Sequence, residues 1–256
     1  MSPRSIIALT TAILALSCRD ASRRDRSQPV VPSLPPSATQ AGAPTVPAVD
    51  ACFATDTADA TTEADAMRCG QGAIKRRGDT LVIELSGIGV RKRVDVPAEG
   101  ESYVSYRYAG RIGGSGGTPA FHVLDARGYE TEWVELVNAA TGDSLVVSAH
   151  PALSPDGARF AADALDFESC EGGTTLEVWR ITGDVPVREW KTDPYPCDGR
   201  RGWGPSNVTW RSPDTITFVQ NMVPRDSARR ASGDWDTAPA LLVRRAGKWQ
   251  LDLRTR

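Results

Sequence analysis

Short segments of strand composition, separated by turn residues, follow one another along the chain after residue 70. Apolar and polar side chains alternate within them, as in TLVIELS (80–86) and SYVSYRYAGRI (102–112). Turn signals recur about every 8–12 residues, which is the spacing of an all-β domain. No helical periodicity of about ten or more residues appears in this part, and this argues against alternating strand–helix folds. The sequence therefore predicts an antiparallel all-β architecture.

Two of the expected hairpins share a Ser-Pro-Asp turn, in ALSPDGARFAAD (152–163) and TWRSPDTITFVQ (209–220). Proline fixes φ at the second turn position, and an aspartate side chain hydrogen-bonds forward to the backbone. We therefore interpret Asp156 as a turn-forming residue and not as a catalyst. In the first copy Gly157 can adopt a positive φ. The second copy has Thr215 at the corresponding position, so we expect its turn to be closed differently. LEVWRI and VREWKTD complete a four-stranded unit of about 40 residues.

This unit, residues 148–192, resembles the blades of bacterial periplasmic β-propellers such as the Tol-system propeller protein, and more distantly WD-type repeats. It lacks the Gly-His and Trp-Asp signatures of WD repeats, and residues 203–254 match more loosely. The resemblance implies a β-propeller-like fold of about four blades, as a closed or an incomplete ring. The alternative is another β-sandwich or meander. The layout also resembles a family of uncharacterised bacterial exported proteins with an SPDG…W…GP…W core, which implies no activity.

The N-terminus carries the most specific targeting signal. Arg4 precedes an uncharged, mainly apolar run of 11 residues, Ile6–Leu16, which is typical of a signal peptide and too short to span a bilayer. The run leads into Ser17 and Cys18, and LALSC resembles the bacterial lipobox. The resemblance implies a diacylglyceryl group on the Cys18 sulfur, cleavage after Ser17, and acylation, for example by palmitate, of the new amino group. An ordinary secretory signal is the alternative.

We expect three segments in the chain. Residues 1–17 are the lipoprotein signal peptide, and residues 18–50 are the lipidated Cys and a disordered Pro/Ala-rich linker. Residues 51–256 are a disulfide-containing β-propeller-like domain. Arg19 follows the lipidated Cys in place of the Asp associated with inner-membrane retention. By resemblance to lipoproteins of Gram-negative bacteria, this implies the outer membrane, at its periplasmic face or its surface.

The cysteine count agrees with an exported protein. The chain has five Cys, and lipidation of Cys18 leaves Cys52, Cys69, Cys170 and Cys197, an even set in an oxidising compartment. Four Cys allow three pairings, of which proximity in sequence favours Cys52–Cys69 and Cys170–Cys197. Free thiols are the alternative. A zinc site is disfavoured because no C-x₂-C pair occurs and the chain has two His.

Several function classes find no support in the sequence. The net charge of −2 gives no basic field for nucleic acid. Hydrolase elbow, zinc-protease and P-loop motifs are absent from the sequence, and the glycine-rich run 110–120 is interpreted as a hairpin loop. No spacing marks His122 or His150 as a general base or a metal ligand. We therefore expect no cofactor, no metal and no assigned catalytic residue.

Two segments remain as candidate sites. The acidic stretch DALDFESCEGG (163–173) has carboxylates for Ca²⁺ or for a glycosidase, although a solvated loop is the preferred interpretation. All seven Trp lie between Trp133 and Trp249, and Trp203 and Trp210 are the candidate binding surface if they are exposed. Burial in a blade core is the preferred interpretation for these two residues.

The sequence thus favours a lipid-anchored cell-envelope protein whose β-domain binds an envelope protein or glycan without catalysis. An envelope hydrolase that uses carboxylates, similar to a glycosidase, is the alternative. A structural spacer is a third hypothesis.

Overall fold

The described residues form four antiparallel sheets of three to five strands, which confirms the all-β prediction. The computed structural model describes residues 51–53, 63–114, 117–166, 174–192 and 202–253. Helices within these ranges are short: α1 (Glu63–Cys69), a 3₁₀ turn (Gly100–Ser102) and α2 (Ser227–Ala231). No helix in the described ranges is long and apolar enough to cross a membrane.

Sheet I is the meander β2-β3-β4. Its strands are β2 (Ile74–Arg77), β3 (Thr80–Leu85) and β4 (Gly89–Val94). The alternation in TLVIEL places Leu81, Ile83 and Leu85 on one face, where all three are buried in a cluster that includes residues of a second sheet. Gly78 takes a positive φ in the β2–β3 turn, a conformation that suits glycine.

Sheet II has the order β1-β5-β6-β7-β8. Its strands are β1 (Ala51–Phe53), β5 (Val104–Gly113), β6 (Ala120–Gly128), β7 (Glu132–Asn138) and β8 (Ser144–Val147). The predicted hairpin at 110–120 joins β5 to β6, and Gly113 lies opposite Ala120. The predicted turn after β7 is capped by Asn138, whose Oδ1 accepts hydrogen bonds from the backbone of Ala140 and Thr141.

Sheet III is the four-stranded unit predicted around the first Ser-Pro-Asp turn, with the order β12-β11-β10-β9. Its strands are β9 (Ala152–Leu153), β10 (Arg159–Ala164), β11 (Thr175–Arg180) and β12 (Val187–Lys191). Asp156 acts in the turn as expected, because its carboxylate accepts bonds from the Ser154 hydroxyl at 2.6 Å and the Ala158 backbone at 3.1 Å. Gly157 has a φ of +67°.

Sheet IV is the meander β13-β14-β15-β16. Its strands are β13 (Trp203–Ser212), β14 (Thr215–Met222), β15 (Asp236–Arg245) and β16 (Lys248–Leu253). The second Ser-Pro-Asp turn joins β13 to β14 in a tighter form, with Ser212 paired to Thr215. It is closed from β15, because the backbone NH of Arg244 donates to the Asp214 carbonyl at 2.8 Å.

Three apolar clusters join the sheets in chain order. The first packs α1 and sheet I against one face of sheet II, around Tyr108 and Leu124. The second packs the other face of sheet II against sheet III, around Phe121 and Phe160. The third packs sheet III against sheet IV, around Val178 and Leu242. Sheets II and III are therefore covered on both faces, and this accounts for their nearly continuous buried runs.

A disulfide joins β1 to the end of α1. The Cys52–Cys69 pairing is the one favoured by proximity, with its Cα atoms 5.5 Å apart. Cys18, Cys170 and Cys197 lie outside the described residues. Glu63, at the start of α1, accepts hydrogen bonds from Arg76 of β2 and from the Tyr108 backbone, so this helix is bound to two sheets.

Replacing Cys52 and Cys69 together by alanine is expected to lower the free energy of unfolding by roughly 3 kcal/mol, because the bridge closes a short loop in the unfolded chain. Urea denaturation monitored by circular dichroism measures the change. Substitution tests this bridge alone, whereas a reductant would also act on any bond between Cys170 and Cys197. An unchanged denaturation midpoint would show that the bridge does not constrain the native protein.

Candidate functional site

A cavity of about 1070 Å³ opens where β5 and β7 begin and β6 and β8 end. Its walls combine aromatic, charged and small side chains from sheet II, including its strand β1, and from α1. The aromatic group comprises Phe53, Tyr106, Tyr108 and Trp133. The charged group comprises Arg107, Asp125, Arg127 and Glu132, and the imidazole of His150 lies beside them. The cavity thus places apolar surface beside convergent polar groups, a combination that is found in ligand sites.

Asp125 is the centre of the polar part of the cavity. Its Oδ2 accepts from Arg107 Nε at 3.1 Å and from an Arg107 terminal nitrogen at 2.7 Å, a two-pronged contact across neighbouring strands. Its Oδ1 lies 2.5 Å from His150 Nε2. His150 follows β8 and its ring centroid lies 5.9 Å from that of Phe53. One carboxylate thus orients both a guanidinium and an imidazole along the cavity wall.

The net environment lowers the pKa of the Asp125 carboxyl from its ordinary value. Burial is the largest influence and acts in the opposite sense, since it penalises the charged form. The hydrogen bonds and positive charges of His150 and Arg107 together outweigh it. Asp125 is therefore an ionised acceptor at neutral pH and has no proton to donate.

The rim of the cavity holds a second ion pair and an unpaired hydroxyl. Arg127 and Glu132 lie opposite each other on β6 and β7, with 3.4 Å between their nearest charged atoms. The Ser148 hydroxyl oxygen is buried and has no hydrogen-bond partner among the described residues. Buried polar groups of proteins usually have a hydrogen-bond partner, so this hydroxyl is an exception within the described residues.

The cavity places paired charges beside aromatic side chains. The carboxylates of Asp125 and Glu132 are each paired with an arginine, and aromatic side chains line other parts of the cavity wall. A ligand with both an apolar face and hydrogen-bonding groups would match this wall.

Of the two histidines considered in the sequence, His150 lies in the cavity and His122 lies in the core. Arg107 and Asp125 were missed by sequence reasoning. They are 18 residues apart and belong to ordinary alternating strands, so no local motif marks them. Only the β5–β6 register brings them together.

His122 is 2% exposed and belongs to a buried pair with Tyr108, between sheets I and II. Burial, supported by the charge of Arg111, lowers the pKa of His122 to about 4. Burial also raises the pKa of the Tyr108 hydroxyl. We therefore assign the hydroxyl as the donor to His122 Nδ1, 3.1 Å away. The pair is a satisfied polar contact of the core.

Trp203 and Trp210, the candidate binding surface, are half-buried in sheet IV. Trp203 stacks on Phe218 with ring centroids 5.8 Å apart, and Trp210 meets Trp249 edge-on at 6.0 Å. Trp210 Nε1 donates to the Ala152 carbonyl at 2.8 Å, which links sheet IV to β9. Much of each indole therefore serves packing, and a binding role for the pair stays a prediction.

The acidic segment is described only in part. Residues 167–173, which include Glu168 and Glu171, lie outside the described residues. Burial raises the pKa of Asp163. Within the described ranges, no cluster of three or more His, Cys, Asp or Glu has the geometry to hold a metal ion.

No family model, curated protein or solved structure matches this chain.

The His122 pKa predicts an acid-sensitive stability. Below pH 6.5 the unfolded chain takes up a proton at this residue, whereas the folded chain resists it down to about pH 4. The free energy of unfolding should therefore fall by roughly 3 kcal/mol between pH 6.5 and 4. Below about pH 4, His122 is protonated in both states and causes no further loss of stability. Urea denaturation at several pH values, compared with His122→Gln, isolates the contribution of this residue.

Tyr108→Phe is the matched control for this experiment, because it removes the hydroxyl and keeps the buried imidazole. The control should retain the acid-dependent loss, although its stability is lower at every pH. A constant difference between the wild-type protein and His122→Gln from pH 6.5 to 4 would contradict the assignment.

Proposed function

We propose that this chain is a lipid-anchored cell-envelope protein whose β-domain binds an envelope protein or glycan without catalysing a reaction. The observation that carries the binding role is the cavity beside sheet II. It combines aromatic walls with the ordered Arg107–Asp125–His150 group. In the proposed complex, an aromatic residue such as Trp133 stacks on the partner. The Arg107–Asp125–His150 group then fixes the orientation of the bound partner through hydrogen bonds.

The proposal on location rests on the N-terminal sequence. Cys18 would carry the acyl chains, and several chains at ~0.8 kcal/mol per buried methylene hold a protein stably at a membrane. Residues 18–50 would then act as the linker between the membrane and the β-domain. The outer membrane is the proposed destination in a two-membrane envelope.

We further propose that the four sheets correspond to blades of a propeller-like array. Each sheet contains a meander of consecutive strands, and neighbouring sheets in the sequence pack face to face. Sheet III coincides with the segment that resembles a blade.

The envelope-hydrolase alternative has less support from the cavity. A glycosidase needs one carboxyl group that remains protonated as the general acid. The pKa of Asp125 is shifted in the opposite direction, to favour the carboxylate. Glu132 forms its ion pair at the exposed rim.

Replacing Cys18 by alanine is expected to move the protein from the membrane fraction to the soluble fraction of the envelope. Labelling with a radioactive fatty acid should be lost in the same variant. Ser22→Ala is the control, because it changes a nearby residue and leaves both the proposed lipidation site and the Cys52–Cys69 disulfide intact. Full membrane association of Cys18→Ala would overturn the lipid-anchor proposal.

Site-specific photo-crosslinking in intact cells tests the binding role. A photoreactive residue at position 132, on the cavity rim, should yield one defined protein or glycan adduct by mass spectrometry. The same residue at the exposed position 250 of β16 is the control and should not yield it. Trp133→Ala should weaken the interaction by roughly 2 kcal/mol, because it removes an aromatic contact.

Equal adducts from positions 132 and 250, or an adduct unaffected by Trp133→Ala, would contradict binding in the cavity. Glycan hydrolysis by the purified protein that is lost in Asp125→Asn would replace the proposal with the hydrolase alternative.

A further inference from the structure

Exposed apolar side chains are concentrated in and beside β4. Ile88, Val90, Val94 and Val96 retain between 41% and 62% of their accessible surface. They are four of the nine large apolar residues that remain exposed within the described ranges. Single exposed apolar residues are ordinary, but a contiguous group of them marks an interaction surface.

Alternation along β4 separates its residues into two faces. Arg91 and Arg93 face sheet II, since Arg91 Nε donates to the Gly142 carbonyl at 3.2 Å and Arg93 forms a paired contact with Glu135. Val90, Lys92 and Val94 therefore project from the opposite side, which we call the outer face of sheet I.

The strand register places lysine and valine side by side on this outer face. Val82 of β3 is paired with Lys75 of β2 on one side and with Lys92 of β4 on the other. Only 8% of Val82 is exposed, whereas both of its lysine neighbours are exposed. The surface is thus apolar at its centre and basic at the ends of its side chains.

The outer face has the opposite sign of charge to the whole chain. Lys75, Arg77 and Lys92 are its basic residues, and its acidic residues are Glu84, which pairs with Lys75, and Asp79, which accepts a hydrogen bond from Thr80. The face therefore has a positive surplus, while the chain carries a net charge of −2. A second copy docked on this face through the same residues would bring like charges together, and this disfavours a symmetric dimer.

We propose that the outer face of sheet I rests on an anionic bilayer surface. Lys75, Arg77 and Lys92 contact lipid phosphates, and Ile88, Val90 and Val94 lie at the level of the headgroups. Basic residues near such a surface and apolar side chains within it act together in peripheral membrane binding. The inference rests on the proposed lipid anchor, which raises the local concentration of a face that is too small to hold the protein alone.

The four lysines of the chain make a direct footprinting experiment available. Lys75 and Lys92 lie on the outer face, whereas Lys191 in sheet III and Lys248 in sheet IV lie elsewhere and serve as internal controls. The full-length lipidated protein is reconstituted in vesicles of phosphatidylglycerol and phosphatidylethanolamine, in phosphatidylcholine vesicles, or in detergent. Acetylation rates of each lysine are then measured by mass spectrometry.

On the anionic vesicles, acetylation of Lys75 and Lys92 should slow several-fold relative to Lys191 and Lys248. Raising the salt from about 0.1 to 1 M should reverse most of this protection, because the screening length falls from about 10 to 3 Å. Phosphatidylcholine vesicles and detergent should give no selective protection. Equal behaviour of the four lysines on anionic vesicles, or equal protection on neutral ones, would overturn the proposal.

Two variants test the charged and the apolar parts separately. Lys92→Glu should abolish most of the protection of Lys75, because a basic contact of about 1 kcal/mol contributes roughly fivefold to the affinity for an anionic surface. Val90→Ser combined with Val94→Ser should also reduce it, while Lys248→Glu is the matched control and should not. These positions are exposed, and circular dichroism verifies that each variant folds.

Failure of the anchor is measured separately from failure of the docking. If the anchor is absent, the protein does not float with phosphatidylcholine vesicles. If the anchor is present but the outer face does not dock, the protein floats with these vesicles and its lysines are not protected on anionic vesicles. Unchanged Lys75 protection in Lys92→Glu would overturn the electrostatic contact even if the anchor is present.

Discussion

The burial of sheets II and III on both faces is the constraint on which the rest of the structure depends. Consecutive residues of one strand must pack against two different sheets, because alternate side chains of a strand point to opposite faces. Ala161 of β10 packs in the cluster with sheet IV, and the next residue, Ala162, packs in the cluster with sheet II. A shift of one residue in register would exchange these environments along the whole strand.

Buried ionic contacts between sheets depend on the same stacking. Arg93 of sheet I reaches the buried Glu135 of sheet II. Glu189 of sheet III accepts from Arg159 at 2.9 Å and from the indole of Trp249, in sheet IV, at 3.0 Å. Burial acts to raise the pKa of Glu189, but these hydrogen bonds and charges lower it overall. Removing Arg93 would leave the buried Glu135 without this ion-pair partner, which costs several kcal/mol for a buried charge.

The cavity and the outer face of sheet I, for which we propose functions, lie where the packing between sheets ends. The cavity forms at the ends of the strands of sheet II, where Arg107 and Asp125 extend beyond the apolar cluster shared with sheet III. The basic outer face belongs to sheet I, whose other face packs on sheet II. Binding in the cavity and contact with a bilayer would therefore use different sheets, and both can operate together.

The sequence determined the class of fold and many of its local features. Period-two alternation, the Ser-Pro-Asp turns and the closeness of Cys52 to Cys69 depend on neighbouring residues, so they can be read directly from the chain. The proposed sites depend on contacts between distant segments. His150 meets Asp125 across 25 positions, and Val82 is flanked by Lys75 and Lys92. Strand register and sheet stacking decide these contacts, because only they determine which side chains of similar strands share a surface.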